Sequence, residues 1–393
     1  MMVISMTSFL KKPYCYGTML FALLVGILTG CAQIIQIPAT PTSTAILFPT
    51  QTPTIYVPSS MPSPTPNVNV KQGDLPPGCG KFLNTLSPDL MWAVNNCGPN
   101  GDVVVWKIGE QQTTTLSPPT NSKEYGVDYC AAFSPDGKKL LIAVPDGPLL
   151  LFDVGQWQTS GTLYPKILPI SFSWSPGSQC FSWSPDSQSF TISYLVPGQA
   201  LSVMNLDGTY KNLIAFDEVH TGTMPSGATK YALGMFGPTW SPDGRKIAYV
   251  IAKDMVDPPP IQLWTVEVAS GKKELLYSGK VGEVGYEPEW SPDGTKILVV
   301  NDISDYNHNA MYIYDVKQKT FNLLLKLQFP NHTLWSPDSQ RIAFCNNVGG
   351  QYLISVGTGE TSLVSSYCGI LQWQDNHSMV MLNENSLSLL TVP

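Results

Sequence analysis

The sequence has 393 residues, of which only 13% are charged, roughly half the usual share of a soluble domain. The 22 basic and 29 acidic side chains give a net charge of −7, which argues against nucleic-acid binding because phosphate neutralisation needs clustered lysine and arginine. Hydrophobic residues make up 43% of the chain, so a shortage of apolar side chains is excluded as a cause of disorder for most of it.

The N-terminus has the pattern of an export signal. Lys11 and Lys12 precede an apolar run at residues 18–28, which is shorter than the about 20 residues of a membrane-spanning helix. The run ends in Leu-Thr-Gly-Cys, closing at Cys31, which resembles the lipobox of bacterial lipoproteins. The resemblance implies that residues 1–30 are a removed signal peptide and that Cys31 is acylated. The protein would then be exported and lipid-anchored to the outer face of the cell membrane or to the outer membrane. An ordinary signal peptide with a chance cysteine is the alternative.

Residues 31–66 read as a linker. Eight prolines between residues 38 and 66 alternate with threonine and serine, and charged residues are absent from this stretch. Such a composition cannot build a packed core and favours extended polyproline geometry. We interpret the segment as a disordered stalk, with a proline-motif ligand for a partner protein as the alternative.

A short motif recurs through the rest of the chain and predicts a repeat architecture. The motif is Trp-Ser-Pro-Asp-Gly or a close variant, and its copies begin at Leu86, Phe133, Trp183, Trp240, Trp290, Trp335 and Trp373. Proline and aspartate suit the middle of a tight turn, and glycine suits a left-handed exit from it. We therefore interpret the repeated aspartates as turn residues: Asp136, Asp186, Asp243, Asp293 and Asp338.

Each unit of about 48 residues contains four short apolar or alternating segments, one before the motif and three after it. Four antiparallel strands per unit are typical of a β-propeller blade. The prediction for residues 67–393 is an all-β fold, a β-propeller with seven four-stranded blades; six blades and an irregular cap are the alternative. The last unit supplies only three strands, so Asn67–Val70 is a candidate to return and complete it.

The motif followed by Ile-Ala, as in Trp240–Ala248, resembles the WD-like repeat of TolB-type propellers, which also occurs in dipeptidyl peptidase IV-like propeller domains. The resemblance covers roughly residues 71–393 and implies the propeller fold. TolB relatives commonly have six blades and an extra N-terminal domain. An envelope-scaffold role like that of TolB is a further alternative, but a lipid and a stalk would stand here in place of that N-terminal domain, which argues against a Tol-like role.

The cysteines give a second expectation. Once Cys15 leaves with the signal peptide and Cys31 is acylated, six remain: Cys79, Cys97, Cys130, Cys180, Cys345 and Cys368. An even number in an exported domain permits disulfides. Within the blade frame, Cys345–Cys368 would join the last two blades, Cys79–Cys97 would lie in the first, and Cys130–Cys180 would need a Cα separation below about 7 Å. Buried free thiols are the alternative, and no Cys-x-x-Cys suggests zinc.

Ligand-binding candidates lie in polar loops on the face opposite the motif turns, where propellers usually bind ligands. The candidate residues are His220, Lys253, Asp254, Asp257, Asp302, Asp305, Tyr306 and His308. A cation site formed by Asp302, Asp305, His308 and His220 is possible by residue type, but hydrated loops explain the same residues, so no metal and no cofactor is predicted.

The sequence holds no Gly-x-Ser-x-Gly, His-Glu-x-x-His or phosphate-binding glycine motif, which argues against an enzyme. We therefore predict a monomeric, membrane-anchored and non-catalytic binding or scaffold module for a protein, peptide or envelope glycan. The alternative is a propeller-type carbohydrate-active enzyme or lyase that uses channel carboxylates such as Asp302 and Asp305.

Overall fold

The structure is a computed structural model and describes the following residues: 73–76, 85–96, 102–116, 130–143, 149–163, 181–193, 201–214, 220–223, 229–231, 234–252, 261–279, 287–301, 310–326, 330–346, 350–383 and 386–392. All of them belong to one compact unit, Ile55–Pro393. The predicted signal peptide and stalk lie outside the described residues. Among the described residues, no helix is long and apolar enough to cross a membrane.

The first strand in the chain, β1 (Gly73–Asp74), belongs to the last blade. Blade 1 then consists of β2 (Thr85–Leu86), β3 (Trp92–Asn96), β4 (Val103–Lys107) and β5 (Thr113–Leu116). Blade 2 consists of β6 (Cys130–Phe133), β7 (Lys139–Ala143), β8 (Leu149–Asp153) and β9 (Thr159–Leu163). In both blades consecutive strands pair antiparallel, as predicted for a meander.

Blade 3 has three full strands, β10 (Ser189–Ser193), β11 (Leu201–Asn205) and β12 (Tyr210–Ile214). On the inner side of β10, the described residues form a single bridge between Trp183 and Phe190. The insertion before blade 4 contains a separate hairpin, β13 (His220–Thr223) with β14 (Thr229–Tyr231).

Blade 4 consists of β15 (Gly234–Trp240), β16 (Lys246–Ala252), β17 (Ile261–Glu267) and β18 (Lys273–Ser278). Blade 5 consists of β19 (Glu287–Trp290), β20 (Lys296–Asn301), β21 (Ala310–Asp315) and β22 (Thr320–Lys326). Blade 6 consists of β23 (Pro330–Trp335), β24 (Arg341–Asn346), β25 (Gln351–Ser355) and β26 (Thr361–Ser365). Each of these three blades has four paired strands, with register shifts in some of the pairings.

Blade 7 is completed by the N-terminal end of the domain. Its own strands are β27 (Ile370–Asp375), β28 (Ser378–Asn383) and β29 (Ser386–Thr391), and β1 pairs with β29 as the fourth. The prediction of seven blades is therefore confirmed, and so is the return of the N-terminal segment to the last blade. The pairing residues are Gly73–Asp74, while the candidate Asn67–Val70 lies outside the described residues.

The ring is held by apolar clusters between neighbouring blades. Each of seven clusters combines side chains of two adjacent blades, and the one around Val104, Trp106, Val380 and Leu387 joins blade 1 to blade 7. The second strands are buried on both faces because they are sandwiched between neighbours, which explains their β-branched, apolar runs. Ring closure therefore rests on hydrophobic burial at every junction.

The motif turns are structural, as interpreted from the sequence. In blade 2 the Ser134 hydroxyl donates to Asp136 at 2.6 Å and accepts the Lys139 N–H at 3.0 Å, and Gly137 exits with φ of 69°. Where serine replaces glycine, its hydroxyl gains a partner in the preceding blade, since Ser187 accepts the Asp136 N–H at 3.0 Å. The turn aspartate thus forms its hydrogen bonds within its own turn.

Candidate functional site

Seven of the eight sequence-predicted ligand residues lie outside the described residues. They are Lys253, Asp254 and Asp257, and likewise Asp302, Asp305, Tyr306 and His308. His220 is the first residue of β13 in the hairpin that precedes blade 4. These residues remain predictions.

The cysteines are placed in part. Cys345 in β24 and Cys368 before β27 form a disulfide with a Cα separation of 5.4 Å, which links blade 6 to blade 7. Cys130 begins β6. The remaining predicted positions, Cys31, Cys79, Cys97 and Cys180, lie outside the described residues.

The described part of the chain forms a cleft of about 130 Å³ between blades 4 and 5, on the face of the motif turns. It is lined by Lys246, Thr265, Glu274, Leu276, Trp290, Tyr314, Val316 and Lys319. Lys246 starts the second strand of blade 4 and Glu274 lies near the start of its fourth, while Lys319 lies in the turn between β21 and β22. Two blades therefore contribute charged side chains to one concave surface.

Ion pairs organise the cleft. The Glu274 carboxylate accepts from the Lys319 ammonium at 2.8 Å, and the Lys246 Nζ lies 3.5 Å from the other carboxylate oxygen. The hydrogen bond from Lys319 is the main cause that lowers the pKa of Glu274, and the same bond raises the pKa of Lys319. The side chains are 39% exposed at Lys246, 38% at Glu274 and 67% at Lys319, so the group is open to solvent.

The wall of the cleft is mainly apolar. Trp290 ends β19 and is partly buried, together with Leu276 and Val316, against the core cluster of this junction. Tyr314 is 2% exposed, and burial raises the pKa of its hydroxyl, which therefore stays protonated at neutral pH. The cleft therefore combines apolar lining residues with charged groups at its rim.

The same backbone positions recur at other junctions with different side chains. The first residue of the second strand is, from blade 1 to blade 7, Trp92, Lys139, Ser189, Lys246, Lys296, Arg341 and Ser378. A left-handed position between the third and fourth strands holds Trp157, Gly271, Lys319 or Gly359, with φ of 54°, 72°, 55° and 72°. At the junction of blades 1 and 2, Trp92 and Trp157 meet edge to face with ring centroids 4.8 Å apart.

Lys246, Glu274 and Lys319 do not stand out in the sequence, because each looks like an ordinary surface charge. One signal was available: alignment of the units on their turns places Lys319 where two other units have glycine. A lysine held at positive φ is conformationally costly, which points to a use for its side chain.

The cleft contains ammonium donors, one carboxylate and an aromatic side chain in its wall. These groups together suit the binding of an anionic ligand. Among the described residues, no group of three or more histidine, cysteine, aspartate or glutamate side chains could hold a metal ion.

No family model matches the sequence, and no curated protein matches it either. Among solved structures, an oligogalacturonate lyase in complex with manganese superposes with a TM-score of 0.58 at 14% identity, over 80% of this chain and 90% of that one. A chain of the mitotic checkpoint complex superposes with a TM-score of 0.55 at 13% identity, over 83% and 96%. TolB from Acinetobacter baumannii reaches a TM-score of only 0.41 at 14% identity, over 74% and 75%. At such identities the likeness concerns the propeller fold alone, which serves unrelated functions.

Proposed function

We propose that this protein is a lipid-anchored, extracytoplasmic β-propeller that acts as a non-catalytic binding module for a protein, peptide or glycan of the cell envelope. The observation that carries the proposal is the cleft between blades 4 and 5, a preformed concavity with charged side chains from both blades around Glu274. The motif ending at Cys31 supports the anchor, and the proline-rich segment that follows supports display away from the membrane.

The proposal is tested with the full-length chain produced in a bacterium that processes lipoproteins. The wild type is expected in the membrane fraction, and a Cys31→Ser variant is expected to lose its acyl label and to leave that fraction. Recovery of unlabelled wild type from the medium would contradict the anchor.

Binding is tested with separated glycan and protein fractions of the envelope. Saturable binding by the wild type, lost in a Lys246→Met, Lys319→Gly double variant, supports the proposal. Lys296→Met is the matched control, because Lys296 begins the second strand of blade 5 as Lys246 begins that of blade 4. Binding equal in wild type and double variant contradicts the cleft as the site, and newly formed chain ends in the glycan fraction would make the protein an enzyme.

A further inference from the structure

The charges of the cleft are not balanced. Lys246 and Lys319 approach opposite oxygens of the Glu274 carboxylate, so two ammonium groups share a single negative charge. Each ammonium carries three N–H donors, and Glu274 engages only one side of each. Among the residues that line the cleft, the two ammonium groups therefore outnumber the one carboxylate, and their side chains are open to solvent.

The backbone indicates that Lys319 is kept for its side chain. Its φ is 55°, in the left-handed region that Gly271 and Gly359 adopt at the equivalent turns. In blade 2 the same position holds Trp157, which packs on Trp92 of blade 1. Lys319 instead reaches across the junction toward blade 4. The side chain at this position thus determines whether the surface of the junction is apolar or charged.

The wall of the cleft selects among anionic ligands. Trp290, Leu276 and Val316 form an apolar surface beside the charges, and the indole can pack against the C–H face of a sugar ring. Glu274 keeps free lone pairs that can accept hydroxyl hydrogens, and the protonated Tyr314 hydroxyl can donate. An acidic sugar brings a carboxylate, hydroxyls and a C–H face together, whereas an aspartate or glutamate side chain brings only the carboxylate.

We propose that the cleft between blades 4 and 5 binds an acidic sugar unit of a glycan, with Lys246 and Lys319 as the residues that bind its carboxylate and Glu274 as the acceptor of its hydroxyls. This inference rests on the proposed binding function and names the ligand class for it. Because both lysines are exposed, binding is expected to weaken as salt concentration rises.

The test is calorimetric titration of the full-length protein with short oligomers of a hexuronic acid. The matched probe is the same oligomer with its carboxylates methyl-esterified, and oligoglutamate is the acidic peptide probe. The wild type is expected to bind the acid at least about tenfold more tightly than the ester, as loss of a charge-assisted hydrogen bond predicts. Lys319→Gly and Lys246→Met are each expected to weaken acid binding by a similar factor, while Lys296→Met leaves it unchanged.

Lys319→Gly is suited to the test because it installs the residue that equivalent turns already hold, and the unfolding midpoint verifies that each variant is folded. Equal binding of acid and ester, unchanged affinity in both lysine variants, or equally tight binding of oligoglutamate would overturn the inference. If the hexuronic oligomers fail to bind while an envelope fraction still binds through the cleft, only this inference is wrong. If neither binds, the proposed function is wrong as well.

Discussion

The junction of blades 1 and 2 and the junction of blades 4 and 5 use equivalent backbone positions for opposite chemistry. In the first, Trp92 packs edge to face on Trp157 and fills the space. In the second, Lys246 and Lys319 meet at Glu274 and leave an open cleft. Thus one junction is closed by apolar contact, and the other is polar and accessible.

This difference shows which part of a junction holds the ring together. Both junctions have a buried apolar cluster deeper between the blades, around Val105 and Leu140 in the first and around Leu263 and Ile297 in the second. The positions at the turn face are therefore free to vary without opening the ring. A propeller can acquire a binding site there at little cost in folding free energy.

The junction of blades 6 and 7 is covalently linked, so its contribution to the free energy of unfolding is the reference for the other two junctions. Replacing Cys345 and Cys368 by serine removes a disulfide that spans 23 residues of sequence, and we expect a loss of about 3 kcal/mol in the free energy of unfolding. Denaturant unfolding with and without reductant measures it. Reduced wild type should match the variant, and an unchanged midpoint would contradict the disulfide as a stabilising link.

Trp157→Gly should break the apolar junction. The glycine suits the left-handed backbone, so the measured loss isolates the packing on Trp92, and we expect about 2 kcal/mol from the lost apolar contact of a half-buried indole. The measurement is the denaturant midpoint at constant slope. A loss in the free energy of unfolding no larger than that of a typical surface substitution would show that the tryptophan pair does not stabilise the junction.

Glu274→Gln should remove a pH-dependent contribution of the ion pairs to the free energy of unfolding. The pKa of Glu274 is lowered from 4.5 in the folded protein, so its ionised form stabilises the fold. This contribution is present above pH 4.5 and is lost as pH falls through the folded-state pKa. Because the side chain is 38% exposed, we expect a wild-type advantage below about 1 kcal/mol at neutral pH.

That advantage should vanish in acid and should shrink when the same substitution is made in a Lys319→Gly background. Unfolding curves collected from pH 7 to pH 3 test both statements. An advantage that stays constant over this range would contradict the ion pairs as its source.

Lys319→Gly should have the smallest effect on stability. It is the same substitution as Trp157→Gly at the equivalent turn, but it removes an exposed ion pair and relieves a positive φ. We expect an unchanged or slightly raised thermal midpoint. A clear destabilisation would mean that the ionic junction is structural and would remove the contrast between the two junctions.

The fold could be predicted from the sequence because one turn is repeated with its chemistry intact. Serine, proline and aspartate stabilise each turn locally, so spacing alone gives the number of blades. The closing strand was harder to locate: Gly73–Asp74 pairs through its backbone, which leaves no pattern in side chains.

The cleft could not be predicted, since its three charged residues come from two strands and one turn. Only the packing of blade 5 against blade 4 brings them together. Lys246 faces Glu267 within its own sheet, and Glu274 faces Thr265. The approach of Lys319 depends on the neighbouring blade. The loop residues favoured by the sequence remain predictions.

Strand β1 also gives the propeller a mechanical weak point. Within the part of the chain that the structure describes, it is held by two residue pairs, Gly73 with Leu387 and Asp74 with Ser386, followed by the buried Leu75. Among the described residues, Gly73 is the first in the chain, so a pull applied from its N-terminal side would load this short strand before the other described strands. Release of β1 would expose the edge of β29, where Leu389 is already 38% exposed. Tension on the chain would then produce an unpaired strand edge that can pair with another strand.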